Sequence, residues 1–104
     1  MEFERIEKIE LFFSPHCPDT EAAVKFLKEK GIPYDEYNIT ANMPNLKKYL
    51  EYRDLHPAFD PIRGTQTVGI PMLSINEGQV VLLDILGMDG EWIEKLTENR
   101  SFHG

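Results

Sequence analysis

The chain has 104 residues, enough for one domain around a single core and too few for a second. Its 11 basic and 18 acidic residues leave a formal charge of −7 at neutral pH, which argues against nucleic acid and anionic membrane surfaces as partners because both would be repelled. An apolar content of 41% with mixed charges suits a soluble globular fold, and a single cysteine rules out an internal disulfide.

The opening Met1-Glu2-Phe3-Glu4-Arg5 is too charged for a secretory leader. No apolar stretch is long enough for a bilayer. With one cysteine, these features predict a cytoplasmic protein. Ile6 to Phe13 reads as a first strand. Ile9, Leu11 and Phe13 face one side and Phe12 adds an apolar group to the other, as in a strand covered on both faces. Ser14 to Cys17 is a turn. A first helix is expected from Pro18 to Lys30, with proline at its opening position, Ala22, Ala23, Phe26 and Leu27 inward, and Val24 beside that stripe. Gly31 ends it and Pro33 blocks its extension.

Tyr34 to Ile39 reads as a second strand, returning parallel to the first through a right-handed crossover. A second helix is predicted over Pro44 to Asp54, with Leu46, Tyr49 and Leu50 inward. The segment Leu55 to Gly64, with Pro57 and Pro61, reads as a short helical turn and a loop. Met72 to Asn76 and Gln79 to Asp84 form a hairpin around Glu77-Gly78. A last helix runs from Asp89, its cap, to Glu98, anchored by Trp92, Ile93 and Leu96. The tail 99–104 is mostly polar and expected to fray. The order is β-α-β-α-β-β-α, an α/β arrangement that suits a thioredoxin-like fold. Such a fold is a mixed four-stranded sheet with helices on both faces, built here as a single domain over 1–104.

The stretch Ser14-Pro15-His16-Cys17-Pro18-Asp19-Thr20 is the candidate site. A thiol where a helix begins meets free backbone N–H groups and the positive end of the helix dipole, and both favour the thiolate, which is the nucleophile. Cys17 is expected at the helix N-cap. The Thr20 hydroxyl, one turn on, is positioned to reach the sulfur, and His16 would help when protonated, while Asp19 and Glu21 oppose a second negative charge. Arg53, His56 and Arg63 lie in or near the long connection. Arg63 is the candidate to supply positive charge to an anionic substrate, although an exposed solvated role is the plainer reading of all three. Tyr49, Tyr52 and Trp92 read as packing residues. One cysteine and three scattered histidines lack the spacing of a metal site. A cluster bridging two chains through Cys17 and external thiols is the one metal arrangement left open.

Three pieces of the chain resemble glutaredoxins. Cys17-Pro18-Asp19-Thr20 is similar to the redox motif Cys-Pro-x-Cys at a strand-to-helix turn. Thr67-Val68-Gly69-Ile70-Pro71 resembles the Thr-Val-Pro segment that carries a cis proline. Ile75-Asn76-Glu77-Gly78 resembles the Ile-Asn-Gly hairpin turn. The similarity runs from Lys8 to about Trp92, and within the superfamily the chain looks most like bacterial glutaredoxin-related proteins with a Cys-Pro-Asp-Thr site. The resemblance implies that Pro71 is cis and lies beside Cys17, and that the Ile70 backbone pairs with a bound peptide such as glutathione. His16, Pro18, Ile70, Pro71 and Arg63 are then the substrate-binding candidates. Cys17 and Thr20 are the catalytic ones, with glutathione as co-substrate rather than any resident cofactor.

The chain also departs from the family pattern. Thr20 stands where the second cysteine would be, Ser14 where a lysine or arginine is often found, and Val81-Leu82-Leu83-Asp84 in place of a Gly-Gly that cradles a glutathione carboxylate. The Cys-Gly-Phe-Ser motif of cluster-binding monothiol members is missing, and the 52–66 connection is longer than usual. Two functions are therefore expected. One is a monothiol thiol–disulfide oxidoreductase acting through Cys17 on the mixed disulfides of a small thiol or a protein. The other is a non-catalytic module that uses the Cys17/Pro71 cleft to bind a thiol, a peptide or a protein partner. No oligomerisation stripe is readable.

Overall fold

A computed structural model describes residues 6–98; the expectations for the opening residues and for the 99–104 tail lie outside the described residues. Strand β1 (Ile9–Phe13) sits inside the sheet, pairing in parallel with β2 (Asp35–Asn38) and antiparallel with β3 (Met72–Ile75); β4 (Val80–Leu82) closes the far edge, giving the order β2-β1-β3-β4. Leu11 pairs across from Leu73, and Phe12 across from Met72 on one side and Tyr37 on the other. The parallel β1–β2 pair needs a crossover, which α1 (Thr20–Glu29) supplies. Gly31, at φ +72°, ends that helix in a Schellman turn: its own amide bonds to Lys28 O and the Ile32 amide to Leu27 O. Helix α2 (Met43–Leu55) is capped by Asn42, whose side chain accepts from the Asn45 amide at 2.9 Å. A single 3-10 turn follows over Pro57–Phe59. Helix α3 (Gly90–Glu98) starts beneath Asp89, which accepts from the Trp92 amide at 3.0 Å. This is the expected mixed four-stranded sheet with helices, a thioredoxin-like architecture.

Period-two alternation splits the core in two. On one face Ile9, Leu11, Leu73 and Ile75 pack against Ala23 and Leu27 of α1 and Leu96 of α3. On the other, Phe12 and Met72 meet Tyr49 of α2 and Phe59 of the 3-10 turn. Fully burying each such side chain stabilises the fold by about 1.5–3 kcal/mol before conformational entropy is counted.

Several boundaries differ from the sequence reading, each for a local reason. Ile6 is buried, but β1 starts only at Ile9. The amides of Glu7 and Lys8 bond instead to the Asn76 side chain, at 2.7 and 3.1 Å. The hairpin strands are shorter than expected because 76–79 form the turn, closed by Gln79 N to Asn76 O at 3.3 Å, with Asn76 and Glu77 at positive φ. Gly78 is required there: a Cβ would lie 2.6 Å from the Tyr52 ring. Ala22 and Leu50, expected inward, are exposed. Helix α2 buries Tyr49 and carries an apolar residue on its outer side.

Candidate functional site

The turn between β1 and α1 is organised by Ser14, which is almost fully buried. Its carbonyl accepts from the Cys17 amide at 3.0 Å and from the Thr20 hydroxyl at 2.7 Å. Its hydroxyl accepts from the His16 amide at 3.1 Å and shares a hydrogen bond with Thr40 Oγ1 at 3.0 Å. The Thr20 amide in turn bonds to Cys17 O at 3.1 Å. These bonds close two consecutive tight turns, so α1 begins later than expected. Its N-cap is Asp19, not Cys17, and the Asp19 side chain makes no capping bond. The sulfur therefore stands in the turn that leads into the helix rather than on the helix end itself.

The Thr20 expectation needs the same kind of correction. Its hydroxyl proton is given to the Ser14 carbonyl, and the side chain is buried. It braces the turn and donates nothing to the sulfur.

Cys17 is half-buried, and its Sγ lies 3.6 Å from the Ile70 carbonyl oxygen, within reach of a weak S–H donor. The Ile70–Pro71 peptide is cis and Pro71 is buried. Three cavities open around this pair. One of about 430 Å³ is bordered by His16, Cys17, Ile39, Val68 and Ile70. One of about 390 Å³ runs along Pro15, Cys17, Pro18 and Glu21. The third, of about 250 Å³, lies beyond Pro71 between Asp19, Asp84 and Leu86. Of the expected site residues, His16 and Ile70 share one cavity with Cys17, Pro18 shares the other, and Pro71 follows Ile70 across the cis bond and borders the third.

Arg63 is not among the residues around these cavities, and its donors are engaged elsewhere. Nε donates to Arg53 O at 3.0 Å, one terminal nitrogen to His56 O at 2.8 Å, and the other pairs with Asp60. A guanidinium committed to the carbonyls of its own connection has little left for an anionic substrate, so the substrate-binding expectation for Arg63 is withdrawn. Among the described residues, no lysine or arginine borders any of the three cavities, whereas Asp19, Glu21 and Asp84 do. No group of three histidine, cysteine or carboxylate side chains gathers among the described residues to hold a metal ion.

The segment facing the sulfur is held from behind by two residues that the sequence reading left as packing or solvated. The buried Tyr49 donates its phenol to Val68 O at 2.7 Å, and Arg53 Nε donates to the same oxygen at 3.0 Å. A terminal nitrogen of Arg53 reaches Thr67 O at 2.7 Å. Burial pushes the Tyr49 phenol up to about 12, partly offset by the Arg53 charge. The available signal was spacing: Tyr49 and Arg53 are i and i+4 on one helix, hence on one face.

A lone thiol in the first strand-to-helix turn of a β2-β1-β3-β4 sheet, opposite a cis X–Pro bond, defines a thiol-bearing domain of thioredoxin-like fold. Comparison with known proteins narrows the class. The Glutaredoxin family model matches residues 9–76, more than half of the sequence, and the chain belongs to the glutaredoxin family. Its domain is a glutaredoxin-like redox domain. The chain is 40% identical over 72 residues to an uncharacterized protein of Haemophilus influenzae, covering 69% of this chain and 84% of that one. It is 33% identical over 69 residues to a probable glutaredoxin of Acanthamoeba polyphaga mimivirus, covering 64% of this chain and 61% of the viral one. No solved structure matches at a significant level. No helix among the described residues is long and apolar enough to cross a membrane.

Proposed function

We propose that the protein is a monothiol thiol–disulfide oxidoreductase with Cys17 as its nucleophile. The Cys17 thiolate attacks one sulfur of a mixed disulfide. A bond forms between Cys17 and that sulfur, the old S–S bond breaks, and the other partner leaves as a thiolate. A second thiol, as its thiolate, then attacks the Cys17 disulfide, joins the sulfur held there and frees Cys17. One disulfide is consumed and one is formed. The external thiol supplies what Thr20 cannot, so a single cysteine suffices. Glutathione is the external thiol that family membership favours, and the cytoplasm the compartment that supplies it.

The observation that carries this reading is the placement of a half-exposed sulfur between two cavities, 3.6 Å from the Ile70 carbonyl. His16, Pro18, Ile70 and Pro71 form the substrate-facing surroundings. Reduction of a glutathionylated peptide by excess glutathione tests it. The wild type is expected to exceed the uncatalysed rate, and Cys17→Ser to fall to it.

A second reading, a non-catalytic module that binds a thiol or peptide in the same cleft, is favoured by the acid-rimmed cavities without a lysine or arginine among the described residues. Equal background rates for wild type and Cys17→Ser would leave that reading standing and remove the first.

A further inference from the structure

We infer that Arg53 and Tyr49 are positioning residues for thiol exchange: from α2 they clamp the 67–70 segment so that its backbone and the Ile70 carbonyl stay opposite the Cys17 sulfur. The inference rests on the reading of Cys17 as nucleophile. The 67–70 segment belongs to no strand or helix, and Thr67 and Val68 are exposed. A stretch with few ladder bonds and little buried surface opens readily unless something ties it down. Here the ties come from one helix face. Val68 O accepts from the Tyr49 phenol and from Arg53 Nε, and the Arg53 terminal nitrogen spans Thr67 O at 2.7 Å and Ile62 O at 3.5 Å. A planar guanidinium with several fixed donors can hold carbonyls from both ends of a loop at once.

Gly69 shows how tightly the segment is pressed onto this clamp. Its φ is +92°, and a Cβ there would lie 2.8 Å from the Tyr49 oxygen and 2.9 Å from the Phe59 ring. Arg63 extends the support backwards, since its Nε donates to the Arg53 carbonyl and a terminal nitrogen to His56 O, fixing the end of α2. A connected set of bonds therefore runs from the 52–66 connection through Arg53 and Val68 to the residue whose carbonyl faces the thiol. Exchange requires the attacking, central and leaving sulfurs to line up, and small displacements of a positioning surface are costly in rate. A peptide disulfide that lies along 67–70 depends on the clamp; a small alkylating reagent does not.

The test uses the full chain and the variants Arg53→Met, Arg53→Lys and Tyr49→Phe. Three measurements are made: steady-state kinetics for reduction of a glutathionylated peptide, the rate of Cys17 alkylation by iodoacetamide, and the rate of thermolysin cleavage before Val68, which reports local opening of the segment. Arg53→Met is expected to raise KM roughly tenfold, leave alkylation within about twofold of the wild type, and speed cleavage before Val68 while α1 stays uncut. Arg53→Lys, keeping a cation that reaches one carbonyl, recovers part of the loss. Tyr49→Phe moves in the same direction by less, and with Arg53→Lys it carries the test if Arg53→Met does not fold. A folded Arg53→Met with unchanged KM and unchanged cleavage before Val68 overturns the inference. So does a loss that follows only a lowered melting temperature, with no recovery in Arg53→Lys. If the wild type catalyses no exchange, the reading of Cys17 fails by itself, and the cleavage rate before Val68 still decides for or against the clamp.

Discussion

The two faces of the sheet are built from different chemistry. The face under α1 and α3 has an aliphatic centre: the buried Ile9, Leu11, Leu27, Leu73, Ile75 and Leu96 meet with no polar group among them, and the aromatic rings of Phe13, Phe26, Tyr34 and Trp92 pack against it only partly buried. The face under α2 is aromatic, with Phe12 stacked on Tyr37 at 5.0 Å and edge-on to Tyr52 at 5.6 Å. It also encloses charge. Glu10 is fully buried, with Lys48 Nζ at 3.0 Å and Lys8 Nζ at 3.6 Å. Both cations meet the same oxygen, Oε2, as ion-pair partners, and neither carboxylate oxygen nor the Ser74 hydroxyl has a well-aligned hydrogen bond. Burial works to lower the Lys48 ammonium, but the close contact and charge of Glu10 outweigh it and hold the group above its ordinary value. Lys8 is raised by its bond to Glu77 and by the Glu10 charge. The first face supplies plain packing. The second carries the polar groups, and the same helix that covers it supplies the clamp behind the thiol.

Substitutions can sharpen or break this contrast. The largest effect is expected on the aliphatic side, where Leu73→Ala removes a fully buried side chain and should cost about 3–4 kcal/mol in urea unfolding. Next is Lys48→Met, which leaves the Glu10 carboxylate with Lys8 alone. It should cost about 2–3 kcal/mol, and the double change Glu10→Leu/Lys48→Met should recover most of it, because a buried pair replaced whole leaves no orphaned charge. A double variant as unstable as the single one would mean that the aromatic side needs its charges.

The smallest effect is alkaline. The folded Tyr49 phenol sits at about 12 against an ordinary 10.0, so its contribution is complete below pH 10. Above that the unfolded chain ionises first, and stability falls until the folded phenol titrates, a loss of about 1 kcal/mol by pH 11. Lys8 and Lys48, both raised, lose their contributions in the same direction above their ordinary 10.5. Tyr49→Phe should flatten part of the slope in urea melts between pH 9 and 11. An unchanged slope would remove the phenol from the account.

The order of elements was legible because it depends on signals carried by short stretches: alternation in 9–13, glycine after α1, proline at a strand mouth. What escaped depends on partners distant in sequence. Nothing near Glu10 in the sequence marks it as buried, and Lys48 from α2, with Lys8, makes its burial tolerable. Leu50 looked inward by spacing, yet it is 38% exposed because Tyr49 and Tyr52 already fill the space beneath α2. Spacing points Thr20 toward the sulfur, but its hydroxyl donates to a carbonyl six residues back. Arg53 and Arg63 looked solvated because backbone carbonyls, their actual partners, leave no mark in a sequence.

Ser14 sets a barrier to redesign. A long cation at this position could not simply be added. The site has almost no free surface, and the hydroxyl lost in the exchange is shared with Thr40 and with the amide next to the reactive residue. Recruiting an anionic thiol through this position therefore asks for compensation on the Thr40 side of the turn as well.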